Sequence, residues 1–137
     1  GWSEADIDNR VNLLLEKVGM PPGEFRSRYP RQLSCGQRQR VGVARALAAD
    51  PPVLLFDEPF GALDPVMRLE LQRQFLTLRQ DFQKTSIFVT HDVREALLLG
   101  SKIALLTGGR IEVMAPPVQF RQARSDEARS FLACLAN

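Results

Sequence analysis

Apolar residues recur along this chain at helical spacing in some stretches and as short continuous runs in others. Ile7, Val11, Leu14, Leu15 and Val18 share one helical face. Ser3 can cap that helix, Glu4 and Asp6 suit the positive end of its dipole, and Gly19 with Pro21-Pro22 stop it. A polar, arginine-bearing loop is expected from Gly23 to Gln32. A second helix is expected from Cys35 or Gly36 to about Ala49, capped by Ser34 and ended by Asp50-Pro51-Pro52. Leu71, Phe75, Leu78 and Phe82 mark the buried face of a third helix, which Asp64 caps and Pro65 opens.

The continuous runs read as strands. Val53-Leu54-Leu55-Phe56 has the pattern of a strand buried on both faces of a parallel sheet, and Ser86 to Thr90 is β-branched and aromatic. Asp92 and Glu95 make a D-x-x-E start for a short helix to Leu99. Ile103 to Thr107 and Arg110 to Val113 flank Gly108-Gly109 and predict a hairpin with a two-residue turn. Ser125-Asp126-Glu127 caps a last helix. Phe120, Phe131, Leu132 and Leu135 are expected to pack the C-terminal helix pair on the sheet domain. Alternation of strand and helix predicts an α/β fold with a mainly parallel sheet.

With 137 residues, the chain is one domain or a piece of one. Its 18 basic and 16 acidic residues are dispersed, so the net charge of +2 does not indicate a nucleic-acid partner. No apolar run reaches the length of a membrane span, and the N-terminus lacks the pattern of a signal peptide. The two cysteines form no C-x-x-C pair and suggest a reducing compartment. A cytosolic location is expected.

Candidate chemistry concentrates in three places. Asp57 and Glu58 are adjacent carboxylates at the end of an apolar strand, where open α/β sheets hold ligands. There an Asp can hold Mg²⁺ through water, and a neighbouring carboxylate can deprotonate an attacking water. An isolated D-E pair at such a place is more often a solvated acidic turn. Ser34 and Gln37 fit an S-x-x-Q capping box, which needs no ligand, yet a serine hydroxyl and free amides at a helix start also suit an anion. His91, the only histidine, follows the second strand; a multi-histidine metal site is excluded, and a lone histidine there is more often structural.

Taken together in fixed order, these motifs resemble the nucleotide-binding subunit of ATP-binding cassette (ABC) transporters. Leu33 to Gln37 resembles the signature motif, and Leu54 to Asp57 the Walker B strand. Glu58 falls at the catalytic glutamate, Ala62-Leu63-Asp64 at the D-loop and His91 at the switch histidine. The resemblance runs from about residue 10 to residue 113. Tyr29-Pro30-Arg31-Gln32 and Val41 to Leu47 are similar to bacterial importers, most of all to those serving osmoprotectants such as glycine betaine, choline or proline.

The resemblance implies a partial P-loop NTPase fold. Residues 1–50 would be part of the helical subdomain, 51–115 the C-terminal part of the catalytic core, and 116–137 a helical tail. It implies ATP and Mg²⁺ in the complete domain, with Asp57 at the metal and with Glu58 and His91 catalytic. Ser34, Cys35, Gly36 and Gln37 would meet the γ-phosphate of a second ATPase subunit in a head-to-tail dimer, and Asp64 would link the two sites. Membrane permease subunits would hold the assembly at the inner face of the membrane.

Two departures qualify this. The Walker A loop is absent: the lysines are Lys17, Lys84 and Lys102, and none follows a glycine. Most of the phosphate cradle is therefore expected from a missing N-terminal portion, with little or no ATPase activity from this chain alone. Loss of the Walker A strand is also expected to leave an uncovered apolar face. Cys35 replaces the usual glycine and is expected to weaken phosphate contact, because glycine permits close approach or positive φ. An autonomous, non-catalytic interaction or dimerisation module derived from such an ATPase is the competing expectation. An ABC-type ATPase of DNA repair is disfavoured by the dispersed charge.

Overall fold

A computed structural model describes residues 1–61 and 63–135; Ala62, expected at the D-loop, lies outside the described residues. Two compact units divide the chain, Gly1–Ile87 and Phe88–Asn137. The first begins with helix α1 (Glu4–Lys17), which Ser3 caps reciprocally with Asp6. Leu14, Leu15 and Val18 are buried, as the spacing predicts. Between α1 and the next long helix, the expected loop contains a short helix α2 (Pro22–Phe25) and a 3₁₀ turn (Pro30–Gln32). Each has proline in its first turn, where a missing N–H costs no hydrogen bond, and both are too short to show a periodicity.

Helix α3 (Cys35–Ala48) follows, then strand β1 (Val53–Asp57), helix α4 (Pro65–Phe82) and strand β2 (Thr85–Val89), which runs across the division. Arg40 of α3 is buried; it donates to the Val18 carbonyl and pairs with Glu70 of α4 at 2.8 Å. One guanidinium thus ties the end of α1 and the middle of α4 to α3. Lys17 and Asp81 add a second α1–α4 tie at 2.6 Å. At the far end of α3, Asp50 takes a left-handed φ of 51° and meets Lys84 at 3.0 Å and Arg10 at 3.5 Å.

Strands β1 and β2 form a two-stranded sheet. The expectation that β1 is buried on both faces is corrected. Leu54 is buried and the Phe56 ring meets Phe75 of α4 edge-on at 5.0 Å, but Leu55 is 74% exposed and Val53 is exposed as well. Ile87 of β2 is also exposed. Pleating sends alternate residues to opposite faces, so a helix packed on one face leaves Val53 and Leu55 on the other. A continuous apolar run does not record whether its second face is covered.

The second unit contains helix α5 (Val93–Leu99), strands β3 (Ile103–Thr107) and β4 (Arg110–Ala115), and helices α6 (Pro117–Phe120) and α7 (Asp126–Ala133). Strands β3 and β4 pair antiparallel from Ile103–Ala115 to Thr107–Arg110, with a bulge between Leu105 and Leu106. Gly108 and Gly109 both have positive φ, 57° and 75°, the backbone of a type I′ hairpin turn. Phe120, 1% exposed, forms a core with Val93, Ile103, Leu105 and Ala128, and Phe131, Leu132 and Leu135 pack against it. The tail helices thus close over the hairpin as expected. Among the described residues, no helix is long and apolar enough to cross a membrane.

Candidate functional site

The first group of candidate residues is built on the start of α3. Ser34 is extended, with φ −64° and ψ 168°, and its hydroxyl accepts from the Gln37 amide at 3.2 Å. The Ser34 amide donates back to Gln37 Oε1 at 2.9 Å, so the S-x-x-Q box forms as the spacing predicts. Arg38 donates to the Leu33 carbonyl at 2.6 Å, which fastens the chain entering the turn. Ser34 and Cys35 face solvent, whereas Gly36 is buried. A Cβ at Gly36 would lie 2.7 Å from Met67 Cε and 3.8 Å from Leu63 Cδ2. The absence of a side chain at position 36 therefore seats the first turn of α3 against the start of α4.

Cys35 is the first residue of α3, and its φ is not positive. The positive-φ part of the expectation for this position does not apply here. What remains is steric: the cysteine side chain stands on the exposed face of the turn.

The second group follows β1. Asp57 is the last residue of the strand and is exposed. Glu58 turns the chain with a left-handed φ of 44°, an uncommon value for a glutamate and one that costs of order 1–3 kcal/mol. Its carbonyl accepts from the Gly61 amide at 3.2 Å, and its Oε2 would lie 3.3 Å from a Cβ at Gly61. Phe60, 1% exposed, meets the Phe75 ring edge-on at 5.3 Å. Phe56 and Phe60 thus grip the same ring from strand and loop, and the turn that carries Glu58 hangs between two anchored aromatics. Phe60 escapes a reading by motif, because nothing separates an anchoring aromatic in a loop from a solvated one.

Asp64 caps α4: its Oδ1 accepts from the Val66 and Met67 amides, both at 3.0 Å. Leu63 beside it is buried. Through Leu63 and Met67, the start of α4 and the first turn of α3 are brought into one packed region, while the Asp64 carboxylate stays exposed.

His91 belongs to the second unit and is exposed. Both its neighbours are held. Thr90 Oγ1 donates to Glu95 Oε2 at 2.6 Å and accepts from the Asp92 amide at 3.0 Å. Asp92 Oδ1 accepts from the Arg94 amide at 2.8 Å and caps α5. The D-x-x-E pattern does start a helix, with the Thr90 hydroxyl linking the Asp92 amide to Glu95.

Among the described residues, no group of three or more His, Cys, Asp or Glu could cage a metal ion. Mg²⁺ keeps several waters and is commonly bound by one or two carboxylates together with substrate phosphates. Asp57, exposed at a strand end, fits such a single-carboxylate role.

Residues 3–61 match the family described as ABC transporter. Over 117 residues the chain is 50% identical to an osmoprotectant import ATP-binding protein of Salmonella typhimurium, which covers 85% of this chain and 31% of that protein. It is 47% identical over 131 residues to a glycine betaine uptake system ATP-binding protein of Escherichia coli, covering 95% of this chain and 42% of that protein. A sulfate/thiosulfate import ATP-binding protein of Bacillus cereus is 52% identical over 111 residues, 81% of this chain and 30% of that protein. The chain spans 31% of the length of the osmoprotectant relative and 42% of the glycine betaine relative.

Proposed function

Because this chain resembles the ATP-binding proteins of ABC importers over most of its length, we propose that it supplies the catalytic and closing residues of such a subunit. The complete protein would couple ATP hydrolysis to uptake of an osmoprotectant. The observation that carries this reading is the left-handed backbone of Glu58 at the end of β1, held between Phe56 and Phe60. A residue kept in an unfavourable conformation by well-packed neighbours is a mark of a working site. Glu58 is the base that takes a proton from the attacking water. Asp57 would hold Mg²⁺ through water, and the bound ion would supply positive charge against the phosphates. His91 contacts the γ-phosphate.

Ser34, Cys35, Gly36 and Gln37 close on the γ-phosphate bound by a second subunit in a head-to-tail pair, with the first-turn amides of α3 facing the anion. Asp64 links the two sites from the cap of α4. The phosphate cradle comes from residues outside this chain, and permease subunits hold the assembly at the inner face of the membrane. By role, residues 1–50 close the site, 51–115 perform hydrolysis and 116–137 cover the second unit. The identity to importers of different solutes supports placing solute selection outside this chain.

The test joins this chain behind the N-terminal part of the Salmonella typhimurium relative and measures Mg²⁺-dependent ATPase turnover. Glu58→Gln is expected to lower kcat by about 10²- to 10⁴-fold with little change in KM. Unchanged turnover would remove Glu58 from the mechanism. Calorimetric titration of the chain alone with Mg²⁺ and a non-hydrolysable ATP analogue is expected to show weak binding or none. Tight saturable binding would mean that the chain builds its own cradle.

A second reading, an autonomous docking module without catalysis, is favoured by the exposed Val53, Leu55 and Ile87. An inactive joined protein that nevertheless binds a full-length ATPase would select it.

A further inference from the structure

Glu95 has no part in the proposed hydrolysis, yet it is 5% exposed in the second unit. A carboxylate is rarely so buried unless it is paired or hydrogen-bonded. It accepts a hydrogen bond from the hydroxyl of Thr90, at 2.6 Å. The same hydroxyl accepts the Asp92 amide at 3.0 Å, so the two residues on either side of His91 are tied through one oxygen. Asp92 is then fixed a second time through the Arg94 amide. Glu95 itself stands in the first turn of α5, whose Val93 and Leu99 are buried. The chain from Thr90 to Asp92 is therefore clamped to a helix seated in the core, with the exposed His91 between the clamped residues.

We propose that Glu95, acting through the Thr90 hydroxyl, is a positioning residue that holds the backbone of His91 in one orientation. The proposal rests on the reading of His91 as the γ-phosphate contact. Physically, the clamp replaces orientational freedom at an exposed histidine with a fixed presentation before the ligand arrives, so less ordering is left to the binding step. A bond between a buried carboxylate and a hydroxyl suits this task, being short, directional and shielded from competing water.

Two pairs of variants separate the clamp from a general structural role. Glu95→Ala removes the acceptor, whereas Glu95→Gln keeps an oxygen at similar reach. Thr90→Val removes the hydroxyl at nearly constant shape, whereas Thr90→Ser restores it. His91 is the only histidine, so its ring signals in a ¹H–¹³C spectrum of the full chain need no deconvolution. With Glu95→Ala and Thr90→Val, these signals are expected to move or broaden beyond the linewidth. Exchange of the Asp92 amide with solvent is expected to accelerate about tenfold or more. With Glu95→Gln and Thr90→Ser, both should stay near the parent. Unmoved His91 signals and unchanged Asp92 exchange in Thr90→Val, with the core signals of Phe120 and Ala128 intact, would overturn the clamp. Should Glu95→Ala not fold, that valine variant decides alone.

In the joined ATPase described above, Glu95→Ala is expected to lower kcat by on the order of ten- to a hundred-fold with KM for ATP held, and Glu95→Gln to restore it. Full turnover in His91→Ala would instead dismiss His91 from catalysis while leaving the spectroscopic test of the clamp untouched.

Discussion

Glu58 shows at the scale of one residue how a fold can hold what local preference resists. Its φ of 44° would suit glycine, and the aromatic grip of Phe56 and Phe60 on Phe75 keeps the glutamate in place. Replacing it with glycine should relieve the left-handed backbone, a gain offset in part by the greater freedom of glycine in the unfolded chain. Glu58→Gly is therefore expected to stabilise the chain by up to about 1 kcal/mol in chemical denaturation while abolishing turnover in the joined ATPase. A destabilised variant would show that the glutamate side chain, and not the strand end, holds the turn. Asp50 is the second left-handed position with a purpose. The hydrogen bond and charge of Lys84, joined by Arg10, hold its carboxyl below the ordinary carboxylate range. A depressed folded value means that this contribution is present above that range and is lost as pH falls through the lowered value. Asp50→Asn keeps a residue that tolerates left-handed φ and removes the charge. Its melting temperature should fall a few degrees below the parent near pH 7, and the difference should close on acidification. A difference that persists undiminished in acid would assign the effect to something other than charge.

At the scale of elements, the ends of the helices were the most legible features. Ser3, Ser34, Asp64, Asp92 and Ser125 all cap where their spacing predicts, because a cap depends on one oxygen and amides two or three residues away. The Gly108-Gly109 hairpin was equally plain, since little but consecutive positive φ explains that pair between two apolar runs. Two helical pieces opened by Pro22 and Pro30 were not, as three or four residues carry no period. Within the candidate site, Ser34, Gln37, Asp57, Glu58, Asp64 and His91 could be picked out by motif. The supports behind them could not: Phe60, Met67 and the link from Thr90 to Glu95 depend on contacts made only once the chain has folded. The tail illustrates the energetic side. Phe120 sits on a four-residue helix with little stability of its own, so its burial in the second core is what holds α6. Phe120→Ala is expected to cost about 3–5 kcal/mol in denaturation followed by circular dichroism. A loss under 1 kcal/mol would mean that the core collapses readily around the gap.

At the scale of the molecule, the exposed apolar residues of β1 and β2 matter most. Val53, Leu55 and Ile87 present exposed apolar side chains, and such faces favour self-association. Leu55→Thr keeps a strand-forming residue and removes the most exposed of these side chains. Burying a leucine is worth about 1.5–3 kcal/mol, so the substitution should weaken self-association about tenfold or more, as read by light scattering across a dilution series. An unchanged mass distribution would mean that some other surface drives any association.

The turn at the start of α3 carries a different lesson. Positions 34, 35 and 36 have separate surroundings: the Ser34 hydroxyl caps the helix, Cys35 is exposed, and Gly36 lies against the packed start of α4. A side chain at 36 would have to displace the terminal methyl of Met67, whereas Cys35 is already exposed. Cellular surveillance that removes proteins for poor folding would therefore pass Cys35 without challenge. A change at an exposed position of this kind shows first in whatever meets that surface, and only weakly in the folding of the chain.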